Sequence, residues 1–338
     1  MIMTKHLFAA LTMCLFLAIF TSCEDVSTEV PIEERVCVEF SKVLTTKSVS
    51  DSQVNTLDLL VFRHAGGQLD CYRRVEASSV SAEVTKGVQL DYYLVANAPS
   101  SADLSSVKDR VSFLSSTILF TDNDETSFVM VGFGTETFTE TNITRTVNFT
   151  RALSRIEIES VTPSYFQTAY QDASVTLERV FLVNVNGSVP YSLSASNGNI
   201  WYEKTAWDAE GTPAGLLPFL TQTYGDSIAG GTAVSSRKTL YCCPNPTDNK
   251  VTSWTEPLWS ERNTRAVLQV DVAGETNYYP ITLPSMRSGY SYLIKNVILT
   301  GPGSVHPDKP VRDGDRQSVS FDITVSPWGE EAKDINLE

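Results

Sequence analysis

An all-β fold built from two tandem β-sandwich domains follows from three features of the 338-residue sequence. Apolar and polar residues alternate in short runs, as on a half-buried strand. Turn-forming Gly, Pro, Asn and Asp separate these runs at roughly 8–12 residues, the spacing of sandwich strands. Thr, Ser, Val and Tyr are plentiful while helical periodicity is scarce. The length suits about two domains. A hydrophobic fraction of 42% with 20% charged residues describes a globular chain. The net charge of −14 would repel nucleic acid and anionic lipid, so neither is expected as a partner.

The opening residues read as an address. Lys5 and His6 precede the apolar run Leu7–Phe20, and Phe20-Thr21-Ser22-Cys23 follows. A basic start, a short apolar segment and small residues before Cys make a lipoprotein signal over 1–22, with Cys23 the acylated first residue. Glu24–Glu34 is then an acidic tether.

The first strand expected is Val36-Cys37-Val38-Glu39-Phe40, with Val36, Val38 and Phe40 on one side. Leu44–Asp51 is small, polar and carries Lys47, as a protease-accessible loop would. Leu57–Phe62 is a continuous apolar strand, turned back at Ala65-Gly66-Gly67-Gln68, and Tyr92–Pro99 is another buried strand. Leu104, Val107, Val111 and Leu114 predict one short amphipathic helix. Ser127–Phe133, Thr144–Phe149 and Arg155–Val161 are further strand candidates.

Beyond Pro163 longer loops hold Trp201, Trp207, Trp254 and Trp259. Strands recur at Thr176–Val185, Thr239–Cys243, Ala266–Val272, Tyr278–Leu283 and Tyr292–Leu299. A Gly- and Pro-rich connector over Gly301–Asp315 then leads to Ser318–Glu338, where Val319, Phe321, Ile323 and Val325 alternate without a break. Ile335 and Leu337 form a shorter alternating piece at the end.

Chemistry has little purchase on this sequence. Four cysteines follow Cys23, namely Cys37, Cys71, Cys242 and Cys243; a bridge between the adjacent last two would be strained, and no C-x-x-C spacing supports zinc. Any other pairing among the four stays open. Asp122-Asn123-Asp124-Glu125 lacks the Gly and distant Glu of a calcium loop and reads as an acidic turn. His64 and His306, outside the signal, read as exposed loop residues, and neither H-E-x-x-H nor G-x-S-x-G occurs. An enzyme is not expected, nor any metal or cofactor.

Leu57–Phe62, Tyr93–Ala98, Phe128-Val129-Met130 and Thr150–Ile156 stand in the order of the FimA-like major fimbrillins of Bacteroidales, subunits of the type V pilus, which the chain resembles. So do Tyr292–Lys295, Leu299–Ser304, Pro307 with Pro310, and the alternating strand ending at Trp328. The resemblance implies two transthyretin-like sandwiches and passage to the outer membrane and cell surface as a lipoprotein. It further implies removal of the N-terminal segment by a trypsin-like protease, and donor-strand exchange, in which a neighbour's C-terminal strands fill the vacated groove. On that pattern the divisions are 23–47 for a propeptide holding the displaceable strand, 48–165 and 166–304 for the sandwiches, and 305–338 for connector and donor strands. The displaced strand is Val36, Val38 and Phe40; the donor set is Val319, Phe321, Ile323, Val325, Trp328, Ile335 and Leu337. Cleavage at Arg35 would leave the first strand attached, so Lys47–Ser48 is the expected cut, with Lys42 second. The implied partners are other copies, related tip and anchor subunits, outer-membrane lipid and the protease, with roles in adhesion and biofilm. A polymerising stalk subunit is the leading expectation; an anchor subunit and a glycan-binding surface lipoprotein using loop tryptophans are the alternatives.

Overall fold

Residues 33–42, 53–165, 170, 172–194, 196–204, 215–228, 232–247, 259–308 and 318–329 are described by a computed structural model. Nine strands make the first half: β1 (Arg35–Lys42), β2 (Leu57–Arg63), β3 (Leu69–Val75), β4 (Ser79–Thr85), β5 (Gln89–Ala96), β6 (Thr117–Leu119), β7 (Met130–Thr137), β8 (Ile143–Val147) and β9 (Thr150–Arg151). The rest are β10 (Ser154–Ile158), β11 (Val161–Pro163), β12 (Val175–Val183), β13 (Val185–Asn186), β14 (Ser188–Pro190), β15 (Trp201–Tyr202), β16 (Thr221–Ile228), β17 (Lys238–Cys242), β18 (Arg265–Val272), β19 (Glu275–Thr282), β20 (Tyr290–Leu299) and β21 (Val319–Pro327).

The first sandwich faces a three-stranded sheet, β4-β1-β8, against a five-stranded one, β3-β2-β5-β7-β9. Alternation decides which residues meet. Leu57, Leu59 and Val61 of β2 join Leu90, Tyr92, Leu94 and Ala96 of β5 in the core beneath β1. Leu60, Phe62 and Val95 point the other way, into a second core continuous with the C-terminal half. Burial on both faces is the reason Leu59–Phe62 of β2 reads as an uninterrupted apolar run. The second sandwich packs β16-β12-β18-β19 against a sheet running β21-β20-β10-β17, in which β11 continues β10 alongside β20. A short pairing of β14 with β6 joins the two halves.

Most expected strands lie where the alternation puts them, within a few residues. Sheet membership changes between β9 and β10, ahead of the expected division at 165, because Ser154–Ile158 already pairs with β20 and β17. The expected helix over 104–114 is a correction. Leu104–Ser106 is a single 3-10 turn and α1 covers only Arg110–Ser115. Between them the Lys108 carbonyl accepts from Leu69 N–H at 2.9 Å, and Asp109 bridges Gln68, which keeps that segment out of the helix. Asp109 then starts the helix afresh by accepting from Ser112 N–H at 2.8 Å. Val111, expected on the inner stripe, is 73% exposed, whereas Phe113 is fully buried.

The two sandwiches meet over aromatic side chains. Phe128 lies with ring centroids 4.9 Å from Tyr241, 5.2 Å from Trp328 and 6.3 Å from Phe219. Phe113 stacks on Tyr191 at 5.1 Å and meets Phe62 at 5.9 Å. Truncating Phe128 to Ala should lower stability by about 3–5 kcal/mol in urea unfolding, whereas Val111→Ser should change it by less than about 0.5 kcal/mol.

Candidate strand-exchange site

β1, the first described strand, holds the central position of its sheet. It runs antiparallel to β4, from Arg35 opposite Thr85 to Ser41 opposite Ser79, and parallel to β8, from Val38 opposite Ile143 to Lys42 opposite Val147. Val36 is 4% exposed, and Val38 and Phe40 are fully buried. Phe40 sits 4.9 Å from the Tyr92 ring and edge-on to Phe138 at 6.0 Å. Burial of two Val and one Phe is worth roughly 5–9 kcal/mol before ordering costs. The sequence-predicted set Val36, Val38 and Phe40 is thus brought together in one slot.

Each end of the slot carries a cation. At the start, Arg35 Nη2 donates to the Glu83 carbonyl at 2.6 Å and lies 3.4 Å from the Asp70 carboxylate. Asp70 is itself fixed by Thr85, accepting from its N–H at 3.1 Å and its hydroxyl at 2.5 Å. At the far end Lys42 reaches Met130 Sδ at 3.9 Å. Burial, with the nearby Arg151 guanidinium adding to it, pulls the Lys42 ammonium down to about 8. Lys42, the second-choice cleavage site, closes β1 and is paired there with Val147 of β8. Cys23, Lys47, Ser48, Ile335 and Leu337 lie outside the described residues.

The predicted donor strand is docked on its own chain. β21 runs antiparallel to β20, Val319 opposite Leu299 and Pro327 opposite Tyr290, with a bulge between Lys295 and Ile298. Among the described residues it has no second neighbour, so it forms the edge of the sheet. Val319, Phe321, Ile323 and Val325 all face the C-terminal core, but only Ile323 is buried, at 9% exposure. The alternation therefore lays these side chains on one face, as expected, with one ladder where β1 has two.

Trp328 follows β21 and turns into the seam between the sandwiches. Its ring stacks on Tyr241 at 5.4 Å, and the Arg151 guanidinium sits 4.5 Å from its centroid with Arg155 at 5.9 Å. Its backbone N–H donates to the Gly289 carbonyl at 2.7 Å. Gly289 has φ +71°, and a Cβ there would meet Thr150 Cγ2 at 2.5 Å, so only glycine allows this close turn. The connector is pinned as well: Asp308, 2% exposed, lies 2.8 Å from Arg265 Nη1 and 3.5 Å from Arg262 Nη1.

The rival features sort themselves into structural roles. Trp201 is 9% exposed and edge-on to Trp259 at 5.2 Å; Trp259 is covered by Lys204 at 4.8 Å and donates Nε1–H to Asn184 at 2.9 Å. Neither offers a bare face for sugar stacking, and Trp207 and Trp254 lie outside the described residues. His64 Nδ1 lies 2.9 Å from Asp91, which also accepts from Thr135 at 2.6 Å and pairs with Arg110. Asp122, Asn123 and Asp124 each accept a backbone N–H, from Leu119, Val129 and Thr126, as turn caps do. Cys37, Cys71, Cys242 and Cys243 are free thiols, and burial pushes Cys242 up strongly. Among the described residues no cluster of His, Cys, Asp or Glu could hold a metal ion.

Residues 42–193 match the family described as major fimbrial subunit protein (FimA). A candidate cell adhesion protein from Parabacteroides distasonis shares the fold with a TM-score of 0.65 at 17% identity, over 88% of this chain and 100% of that one. A second, from Bacteroides eggerthii, gives 0.64 at 18% identity, over 88% and 96%. The fimbrilin FimA of Porphyromonas gingivalis gives 0.60 at 15% identity, over 87% and 97%. No curated protein matches the chain. These solved structures share the chain's all-β, two-sandwich fold, and residues 42–193 carry the family match.

The Lys42 ammonium gives a signed test of the slot. Between about pH 8 and 10.5 the unfolded chain holds a proton at Lys42 that the folded chain has lost, so stability should rise with pH across that window. Lys42→Met should be more stable than wild type below pH 8, with the difference shrinking towards pH 10.5, as read from paired urea titrations.

Proposed function

We propose that this chain is the stalk subunit of a cell-surface fimbria, exported as a lipoprotein through Cys23 and polymerised by donor-strand exchange after cleavage at Lys47–Ser48. The observation that carries the reading is the contrast between β1 and β21. The first described strand occupies a two-sided central slot, and the last described strand, alternating in the same way, rests on a one-sided edge. Once cleavage removes β1, the slot exposes Leu57, Leu59, Val80, Val84 and Phe138, and a neighbour's tail can cover them.

The energetic direction follows from the number of ladders. In the slot a donor gains a second set of backbone hydrogen bonds, each worth about 1 kcal/mol net. Val319, Phe321 and Val325, half-buried at the edge, would become fully covered there. The short resident strand, cut from the fold, cannot compete by proximity. Adhesion and biofilm roles belong to the assembled fibre, whose other members would be tip and anchor subunits. An anchor subunit would keep β1 and its lipid, and a glycan-binding lipoprotein would need an open aromatic platform.

Two experiments separate these outcomes. N-terminal sequencing of surface material should give Ser48; a blocked Cys23 would instead mark an anchor. Lys295 and Asp322 stand opposite each other in the β20–β21 ladder. Replacing both, Lys295→Cys with Asp322→Cys, should tie the tail to its own sheet when oxidised. Oxidised monomer should form no fibres and reduced monomer should form them normally. Equal assembly in both states would refute exchange through β21.

A further inference from the structure

The strand in the slot and the tail that would replace it share a sequence pattern. Arg35-x-x-Val38-x-Phe40 recurs, in the same order and spacing, as Arg316-x-x-Val319-x-Phe321. In β1 each of the three has a fitted place. Val38 is fully buried, opposite Ala82 of β4 and Ile143 of β8. Phe40, also fully buried, sits 4.9 Å from the Tyr92 ring and 6.0 Å from that of Phe138. Arg35 stands at the mouth, 3.4 Å from one oxygen of Asp70, whose side chain is 2% exposed and whose other oxygen has Arg63 at 3.8 Å.

We propose that a neighbour's tail enters the slot in one register, with Val319 in the place of Val38, Phe321 in that of Phe40 and Ile323 in that of Lys42. The proposal rests on the exchange reading and adds the residue that selects the register, Phe321. Shape carries the choice. A slide of two residues keeps the alternation, but it drives Phe321 into the closed space of Val38 and leaves Ile323 in the aromatic place of Phe40. Overfilling one closed site and underfilling the next are both destabilising. In the proposed register a phenylalanine again meets Tyr92 and Phe138. Ile323 then comes to Met130, 2% exposed, whose Sδ the Lys42 Nζ approaches at 3.9 Å, and no ammonium has to be half-buried there. Charge agrees with shape. Departure of β1 takes Arg35 from a buried carboxylate, and removing one partner of such a pair is costly. The proposed register brings Arg316 to that carboxylate, whereas the slide would bring Ser318. Its one polar replacement, Gln317 for Val36, falls on the least covered of the three inner positions, at 4% exposure.

The register can be read by cross-linking. Glu39 stands opposite Ser81 in the β1–β4 ladder, and Ser81 is exposed. In the proposed register Ser320 of the incoming tail takes the place of Glu39; after the slide Asp322 does. Full-length chains carrying Ser81→Cys with Ser320→Cys, or Ser81→Cys with Asp322→Cys, are processed, assembled and oxidised, with Ser81→Cys alone as the control for native thiols. Heated non-reducing gels should show a covalent ladder for the Ser320 pair only, and reductant should collapse it. A ladder through Asp322, or none through Ser320 in fibres that form, would overturn the register. A second measurement needs no cysteine. Ile323→Lys should still polymerise, because a lysine is the resident at that place, while Phe321→Lys should not. Loss of assembly in Ile323→Lys, or its survival in Phe321→Lys, would also overturn the register. Fibre formation by the oxidised Lys295→Cys, Asp322→Cys chain would overturn strand exchange itself, whereas a ladder through Asp322 leaves exchange standing, so the two failures are distinct.

Discussion

Closure of the N-terminal core depends on three side chains carried by β1, the first described strand. Val36, Val38 and Phe40 share one core with Leu57, Leu59, Val80, Val84, Tyr92 and Phe138. Backbone groups make the same demand. β4 and β8 each turn an edge towards β1, and without a strand between them two rows of donors and acceptors would be left open. A fold with this requirement stays closed only while something alternating and apolar occupies the middle of the sheet. The chemical identity of that occupant is loosely specified, since two Val and one Phe form a pattern rather than a lock.

The second sandwich places the opposite constraint on the tail. β21 completes an edge, so its removal leaves β20 still paired with β10 and β11. The firmer hold is exerted beyond the strand, by Trp328 between Tyr241 and Arg151 and by its hydrogen bond to Gly289. Holding strength thus concentrates in one ring at the seam, while the ladder can be replaced by an equivalent ladder elsewhere. Phe128, Arg151 and Gly289 bring both halves of the chain to that seam.

Much of this was legible in the sequence because alternation writes burial directly. Val36-x-Val38-x-Phe40 and Val319-x-Phe321-x-Ile323-x-Val325 name their inner faces without any knowledge of neighbours. β2 announced its two-sided burial in the unbroken stretch Leu59–Phe62. Strands with weak or polar inner faces were missed: β4 is carried by Val80, Ala82 and Val84, and β16 is mainly Thr, Gln, Asp and Ser with one Tyr. Apolar spacing misassigned α1, because the period at 104, 107, 111 and 114 could not show that Leu69 would capture the Lys108 carbonyl. The Arg35–Asp70 clasp and the Trp328 seat had no local signal, their partners being distant in sequence. The docking of β21 on its own sheet was likewise invisible, since an alternating strand reads the same wherever it lies.

Asp308 sets a length. Its carboxylate is sunk between Arg262 and Arg265, so a departing tail would unreel from that post and not from the end of β20. Ten chain steps separate Asp308 from Ser318, which amounts to about 35 Å at full extension. A receiving slot farther away than this leash could not be filled without first pulling a buried carboxylate from two guanidinium groups. The spacing of successive subunits along a fibre would then be written into the covalent chain, independently of how their surfaces happen to fit.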